Sequence, residues 1–223
     1  MRDSRWRDWF PSGLGLRLVA VLAAASLLIP PPLHAYHRRL NEEDVREAYF
    51  LGQRHDAQLG QFFSGYEESV PAPTEMGYFV RSVAVRTPYS LAVLRSVEAH
   101  GHYTAQQAWR DYCADADRFE VVVWLDYGYG NKSGEKSEAP VTNDPRRGFF
   151  MEVKQERGNE ERTLVPRESY SGYGPYVDNT VPASIQLHAE YSLADIDSSE
   201  LKVEATIPSG KVVTVIFNLD KLR

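Results

Sequence analysis

His100-Gly101-His102 is the stretch that comes closest to a metal site. Two imidazoles two residues apart share a metal when the backbone is extended, but a catalytic zinc needs a third protein ligand. His188, His55 or a carboxylate would have to supply it in space, and no spacing points to one. The competing reading is a helix end, where histidine beside a glycine stop meets the negative end of the dipole. That reading prevails, and no metal or other cofactor is expected.

Nucleophilic chemistry fares no better. G-x-S-x-G is absent, Ser133-Gly134 lies in a polar low-complexity stretch, and Ser171-Gly172 lies among tyrosines. A set of Ser171, His188 and Asp126 is conceivable only as geometry, which a sequence does not display. Paired carboxylates drawn from Asp126, Glu152 or Glu190 would suit glycosidase chemistry. Glu152 and Glu190, however, alternate with Lys154, Gln186 and His188 on faces that read as solvated. Asp126 is the more interesting one, at the end of an apolar strand, although an acid leading into Gly128 is ordinary turn chemistry. Asp195, Asp197 and Ser198 lack the glycine and distal glutamate of a calcium loop. Gly172 and Gly174 are followed by no lysine and no helix, so they make no phosphate loop. The single cysteine, Cys113, can form no intrachain disulfide, and Asp111, Asp115 and Asp117 disfavour a reactive thiolate. It is expected to be buried on a helix.

What remains is tyrosine. The stretches 126–131 (DYGYGN) and 170–177 (YSGYGPYV) alternate tyrosine with glycine and proline. Tyr127, Tyr129, Tyr170, Tyr173 and Tyr176 are the candidate ligand-binding residues, because a rigid ring with a polar tip stacks on a sugar or on a partner's side chains. Eight of the 13 tyrosines lie elsewhere, so the enrichment is general, and the alternative is that the rings cover sandwich ends.

These residues depend on a scaffold whose pattern changes along the chain. Residues 36–75 read as a helical segment: Asn41 caps a start at Glu42-Glu43-Asp44, and Val45, Ala48, Tyr49 and Gly52 recur at helical spacing. Residues 67–75, with Pro71 and Pro73, break it. Residues 78–86 alternate as a strand. A helical hairpin over about 90–115 follows, its second helix opened by a capping box, Thr104 to Gln107. Residues 119–127 are apolar on both faces, as in a covered central strand. A polar stretch over about 130–147 precedes strands at 148–156, 162–166 (an edge), 185–191, 201–207 and 213–219, with a hairpin turn at Pro208-Ser209-Gly210-Lys211. In the strand 185–191, His188 is read as facing out. No crossover helices separate the later strands, so the sheet is antiparallel. The fold class is α+β: N-terminal helices and an inserted helical hairpin on a C-terminal β-sandwich or curved sheet, with residues 76–223 as the β-rich domain.

The N-terminus reads as a Sec-type signal peptide, residues 1–35. Arginines precede a 12-residue apolar run at 18–29, then Pro30-Pro31-Pro32 and a small residue, Ala35. Twelve apolar residues fall short of the roughly 20 that span a bilayer. An uncleaved anchor is the alternative. Removing four arginines and two aspartates takes the formal charge from −6 to −8. A chain that acidic, with no basic run, excludes nucleic acid and anionic membrane surfaces as partners. The expectation is an exported protein, periplasmic or secreted, acting as a non-enzymatic binding module for a protein partner or glycan. The alternatives are a hydrolase with a site near Asp126 and His188, and an assembly protein pairing through a sheet edge.

Overall fold

A computed structural model describes residues 39–74, 76–99, 103–128, 148–157, 160–177 and 181–223. Residues 1–35, read from the sequence as a signal peptide, the His100–His102 fragment, Tyr129 and the 130–147 stretch lie outside the described residues.

Helix α1 (Glu42–Gly52) begins at Asn41, whose side chain accepts from the Asp44 N–H while the Asp44 carboxylate accepts from the Asn41 N–H. The apolar pattern continues past Gly52, but the helix does not. His55 takes a left-handed φ of 49°, and Asp56 caps a second helix, α2 (Ala57–Ser64). Thr87 caps α3 (Pro88–Glu98), which starts two residues earlier than its pattern suggests because Pro88 occupies the first turn, where a missing N–H costs nothing. Helix α4 (Ala105–Ala114) carries the expected Thr104–Gln107 capping box. Cys113 lies on it as expected but is exposed, because α4 turns Ala108 and Tyr112 inward instead.

The helices pack on one another around two small clusters, Ala48, Leu59, Tyr89, Ala92 and Val93 in one and Val45, Ala108 and Tyr112 in the other. At the first, Gly52 lies so close to α3 that a Cβ there would stand 2.5 Å from the Val93 carbonyl oxygen and 2.6 Å from Ser96 Cβ. Phe62 packs against both the helical core and the sheet core, joining the layers.

The strands form two main antiparallel sheets. The first, of five strands, runs in the order β1 (Glu67–Ser69), β2 (Gly77–Arg86), β3 (Arg118–Gly128), β9 (Ser184–Ser192), β6 (Glu168–Tyr173). The second has four: β11 (Val212–Asn218), β10 (Glu200–Thr206), β4 (Phe150–Arg157), β5 (Glu160–Thr163). A two-stranded ladder pairs β7 (Tyr176–Val177) with β8 (Val181–Pro182). One core joins the sheets, with Val83, Val121, Ile185 and Tyr191 from the first meeting Val153, Leu201, Val203 and Phe217 from the second. The α+β sandwich expected from the sequence is the fold observed, and β5 is an edge.

Two elements escape a reading by pattern. In β2 the register shifts between Val80 and Ser82, so Tyr78 and Val80 face the core on even numbers and Val83 and Val85 on odd ones. The tyrosine–glycine stretch is not a connecting loop. Residues 168–173 pair with β9 over six residues as an edge strand, where glycine is tolerated because only one side of the ladder depends on it.

Candidate functional site

Side chains two apart on a strand share a face, and those three apart do not. That rule divides the tyrosines of YSGYGPYV. Tyr170 lies opposite His188 on the face of the five-stranded sheet away from the core, whereas Tyr173 packs against the core.

On the outward face, Arg86, Glu120, Glu190 and Glu168 form one row across β2, β3, β9 and β6. Ala84, Val122, His188 and Tyr170 form the next. Glu120 is completely buried beneath these side chains. Its Oε1 accepts from the Tyr170 hydroxyl at 3.1 Å and stands 2.7 Å from His188 Nδ1. Its Oε2 accepts from Arg86 at 3.1 Å. Arg118, 3.8 Å away, also holds Glu190 at 2.5 Å. The rings of Tyr170 and His188 stack at 4.5 Å and 9°, and Arg86 lies over the Trp124 ring. His188 Nε2 stands 3.3 Å from Gln186 Oε1.

Burial opposes ionisation of Glu120. The His188 hydrogen bond and the charges of Arg86 and Arg118 outweigh it and hold the carboxyl at about 2. The ionised carboxylate only accepts, so the bridging hydrogen lies on His188 Nδ1. For Glu190, burial dominates and raises its pKa in spite of Arg118. A carboxylate held near 2, with each oxygen engaged by donors, is a poor general base near neutral pH. This network is suited to fastening β2, β3, β9 and β6 together. The sequence read His188 as solvated. It is buried, because the rings and long side chains of its own face cover it.

Asp126 and His188 are not brought together. Asp126 lies opposite Ser184 and Val122 opposite His188, a four-residue offset that spans about 13 Å. Asp126 instead stands 3.5 Å from Arg81 on the half-exposed surface. Ser171 is on the core side, donating to the Tyr173 hydroxyl at 3.1 Å, so a set with His188 would have to cross the sheet. Glu152, exposed on the other sheet, pairs with Lys154 at 3.4 Å beside the half-buried Lys202 and Glu204. Asp195 offers its backbone oxygen to Gln155. Among the described residues, no three His, Cys, Asp or Glu side chains gather as a metal site.

On the core side, the tyrosines converge. Tyr127 lies opposite Tyr78 in the β2–β3 ladder, their ring centroids 4.9 Å apart. Phe149 meets Tyr78 edge-on at 5.0 Å. Burial, then the neighbouring phenols of Tyr127, Tyr173 and Tyr176, push the Tyr78 hydroxyl up to about 12, and it donates to the Pro182 carbonyl at 3.1 Å. The turn that carries Tyr176 into this group passes close to β9. A Cβ at Gly174 would fall 2.1 Å from Ser184 Oγ. Tyr127 therefore packs against a fourth tyrosine, Tyr78, that the sequence reading did not single out, and Tyr173 and Tyr176 lie near enough to raise its pKa.

Tyr78 is also one wall of a cleft of about 370 Å³ at the end of the sandwich where β2 starts and the β10–β11 hairpin turns. Val70, Pro71 and Pro73 line a second side, and Ile207, Pro208 and Val213 a third. Among the described residues, Lys211 is the one charged residue on its lining. Its size falls within the range of small-ligand sites, which are mostly apolar with few polar groups.

No protein-family model matches the chain, and no curated protein matches it. No helix among the described residues is long and apolar enough to cross a membrane.

Proposed function

We propose that this chain is an exported, non-enzymatic binding module that holds an amphiphilic anion in the cleft beside Tyr78. The observation that carries the reading is the lining itself: apolar walls from three segments with, among the described residues, a single cation, Lys211. Burying an apolar body there is favourable by about 25 cal/mol per Å² removed from water. An anionic head beside Lys211 keeps its partial hydration and gains a charge partner, whereas a cationic head meets repulsion. A glycan would need exposed ring faces, and Tyr78 turns its ring to those of Tyr127 and Phe149. The export part of the proposal rests on the order of charge, apolar run and prolines in residues 1–35.

Fluorescence titration of the purified protein with anilinonaphthalene sulfonate, followed by displacement with dodecanoate, tests the cleft. Val70→Trp, which fills it, should abolish the signal. Lys211→Glu should weaken binding about tenfold, or roughly 1.4 kcal/mol. Dye binding that neither substitution alters would reject the cleft as the site. Recovery of the full-length precursor in the cytoplasm after cell fractionation would reject export.

A further inference from the structure

Among the described residues the two sheets have four lateral edges, and three are guarded. β1 is three residues long and reads Glu-Glu-Ser, β5 reads Glu-Glu-Arg-Thr, and β6 opens with Glu168 and carries Gly172. Short length and charge are the ordinary protections against edge-to-edge association. β11 has neither. It is seven residues long, Val-Val-Thr-Val-Ile-Phe-Asn, with no charge and no proline.

The hydrogen-bond pattern shows which of its backbone groups are turned outward. Ile207 N–H donates to the Lys211 carbonyl at 3.0 Å, and Leu219 N–H to the Ser199 carbonyl at 2.7 Å. With Val213 opposite Ala205 and Phe217 opposite Leu201, the alternation of an antiparallel ladder assigns Val213, Val215 and Phe217 to β10. The N–H and C=O groups of Val212, Thr214, Ile216 and Asn218 then point away from β10. Among the described residues, no other strand pairs with them. The side chains agree: Val212 and Ile216 are 51% and 55% exposed. Val213 and Val215 stay half-buried although they face the core, while Val203 and Ala205 beside them on β10 are fully buried.

We propose that this edge is an interface with a second copy of the same chain, β11 pairing antiparallel with β11 about a two-fold axis at Thr214. That register sets the two exposed apolar side chains against each other: Val212 with Ile216 of the second copy, Thr214 with Thr214, Ile216 with Val212. The solvent-facing side gains two Val–Ile pairs flanking a Thr–Thr pair, combinations favoured directly across a ladder. Core-facing Val213 meets Val215 and completes its burial. Two-fold pairing sets like against like, so a strand in an acidic protein self-associates without repulsion only where it carries no charge, as β11 does. The four-stranded sheet becomes an eight-stranded one across the pair, and both β11 edges disappear.

Light scattering coupled to size exclusion should give twice the chain mass for the full-length protein. Thr214→Pro removes an outward N–H that the protomer itself does not use, and Ile216→Lys places a charge on the edge. Each should give the single-chain mass while the far-UV circular dichroism stays that of the folded protein. Where Thr214→Pro fails to fold, Ile216→Lys decides. The register is tested separately with Thr214→Cys in a Cys113→Ser background. Paired across the axis at about 5.5 Å between Cα atoms, the two thiols are within disulfide reach and should cross-link on mild oxidation. A wild-type protein of single-chain mass at all concentrations overturns the proposal. So does a dimer that survives Ile216→Lys. A dimer that dissociates with Ile216→Lys but gives no Thr214→Cys cross-link overturns the Thr214-centred register.

Discussion

His188 Nδ1 stands 2.7 Å from Glu120 Oε1 although 68 residues separate them, and the pair lies buried on the outward face of the sheet. Glu120 and His188 belong to neighbouring rows of the β3–β9 ladder and meet on the diagonal, with Tyr170 of β6 closing over them and Arg86 of β2 approaching from the other side. Four strands are thus fastened through one carboxylate.

Glu120→Gln should cost about 3 kcal/mol at pH 7 in urea denaturation, because it leaves Arg86 and Arg118 near a neutral group in a site closed to water. Its pH dependence has a definite sign. The folded-state pKa of about 2 lies below the ordinary 4.5, so the stability Glu120 contributes is present above pH 4.5 and lost as pH falls toward 2. That loss is roughly 3 kcal/mol for a shift of this size. The acid limb of the stability curve should flatten in Glu120→Gln. An acid limb parallel to the wild type would show that the carboxylate is not held as described.

Tyr170→Phe keeps the ring on His188 and removes only the hydroxyl that Glu120 Oε1 accepts. A loss of about 1 kcal/mol is expected. Tyr170→Ala removes the stack as well, and should raise amide exchange in β6 while leaving β3, at the centre of the sheet, protected. Equal exchange in the two strands would contradict this.

Gly52→Ala drives a methyl group into the Val93 carbonyl and Ser96 Cβ. The helices must separate or α1 must bend, at a cost of about 1–3 kcal/mol. Thermal unfolding measures it. An unchanged melting temperature would mean that α1 and α3 are not in close contact.

Asp126→Asn should change stability by less than about 0.5 kcal/mol, since its 3.5 Å pairing with Arg81 is open to solvent. Measured beside Glu120→Gln, it contrasts a surface carboxylate with a buried one on the same strand.

The sequence by itself determined the local structure. Asn41 and Thr104 announce their helices through side chains that satisfy N–H groups three residues away. Leu201, Val203 and Ala205 announce a strand because alternate residues share a face. These signals are readable because cause and effect lie within one turn or one strand. The bulge at Arg81 and the strand character of 168–173 were not readable, since each depends on a neighbouring strand to pair with. Only the tertiary structure decided which rows of side chains meet. In Phe119-Glu120-Val121-Val122-Val123, a lone carboxylate in an apolar run signals a buried charge that needs partners, but Arg86, Tyr170 and His188 are assigned to it by register across three other strands. The same register sends Tyr170 to that network and Tyr173 to the cluster around Tyr78. Register is fixed by the summed packing of whole strands against a shared core, and no single stretch of chain contains that sum.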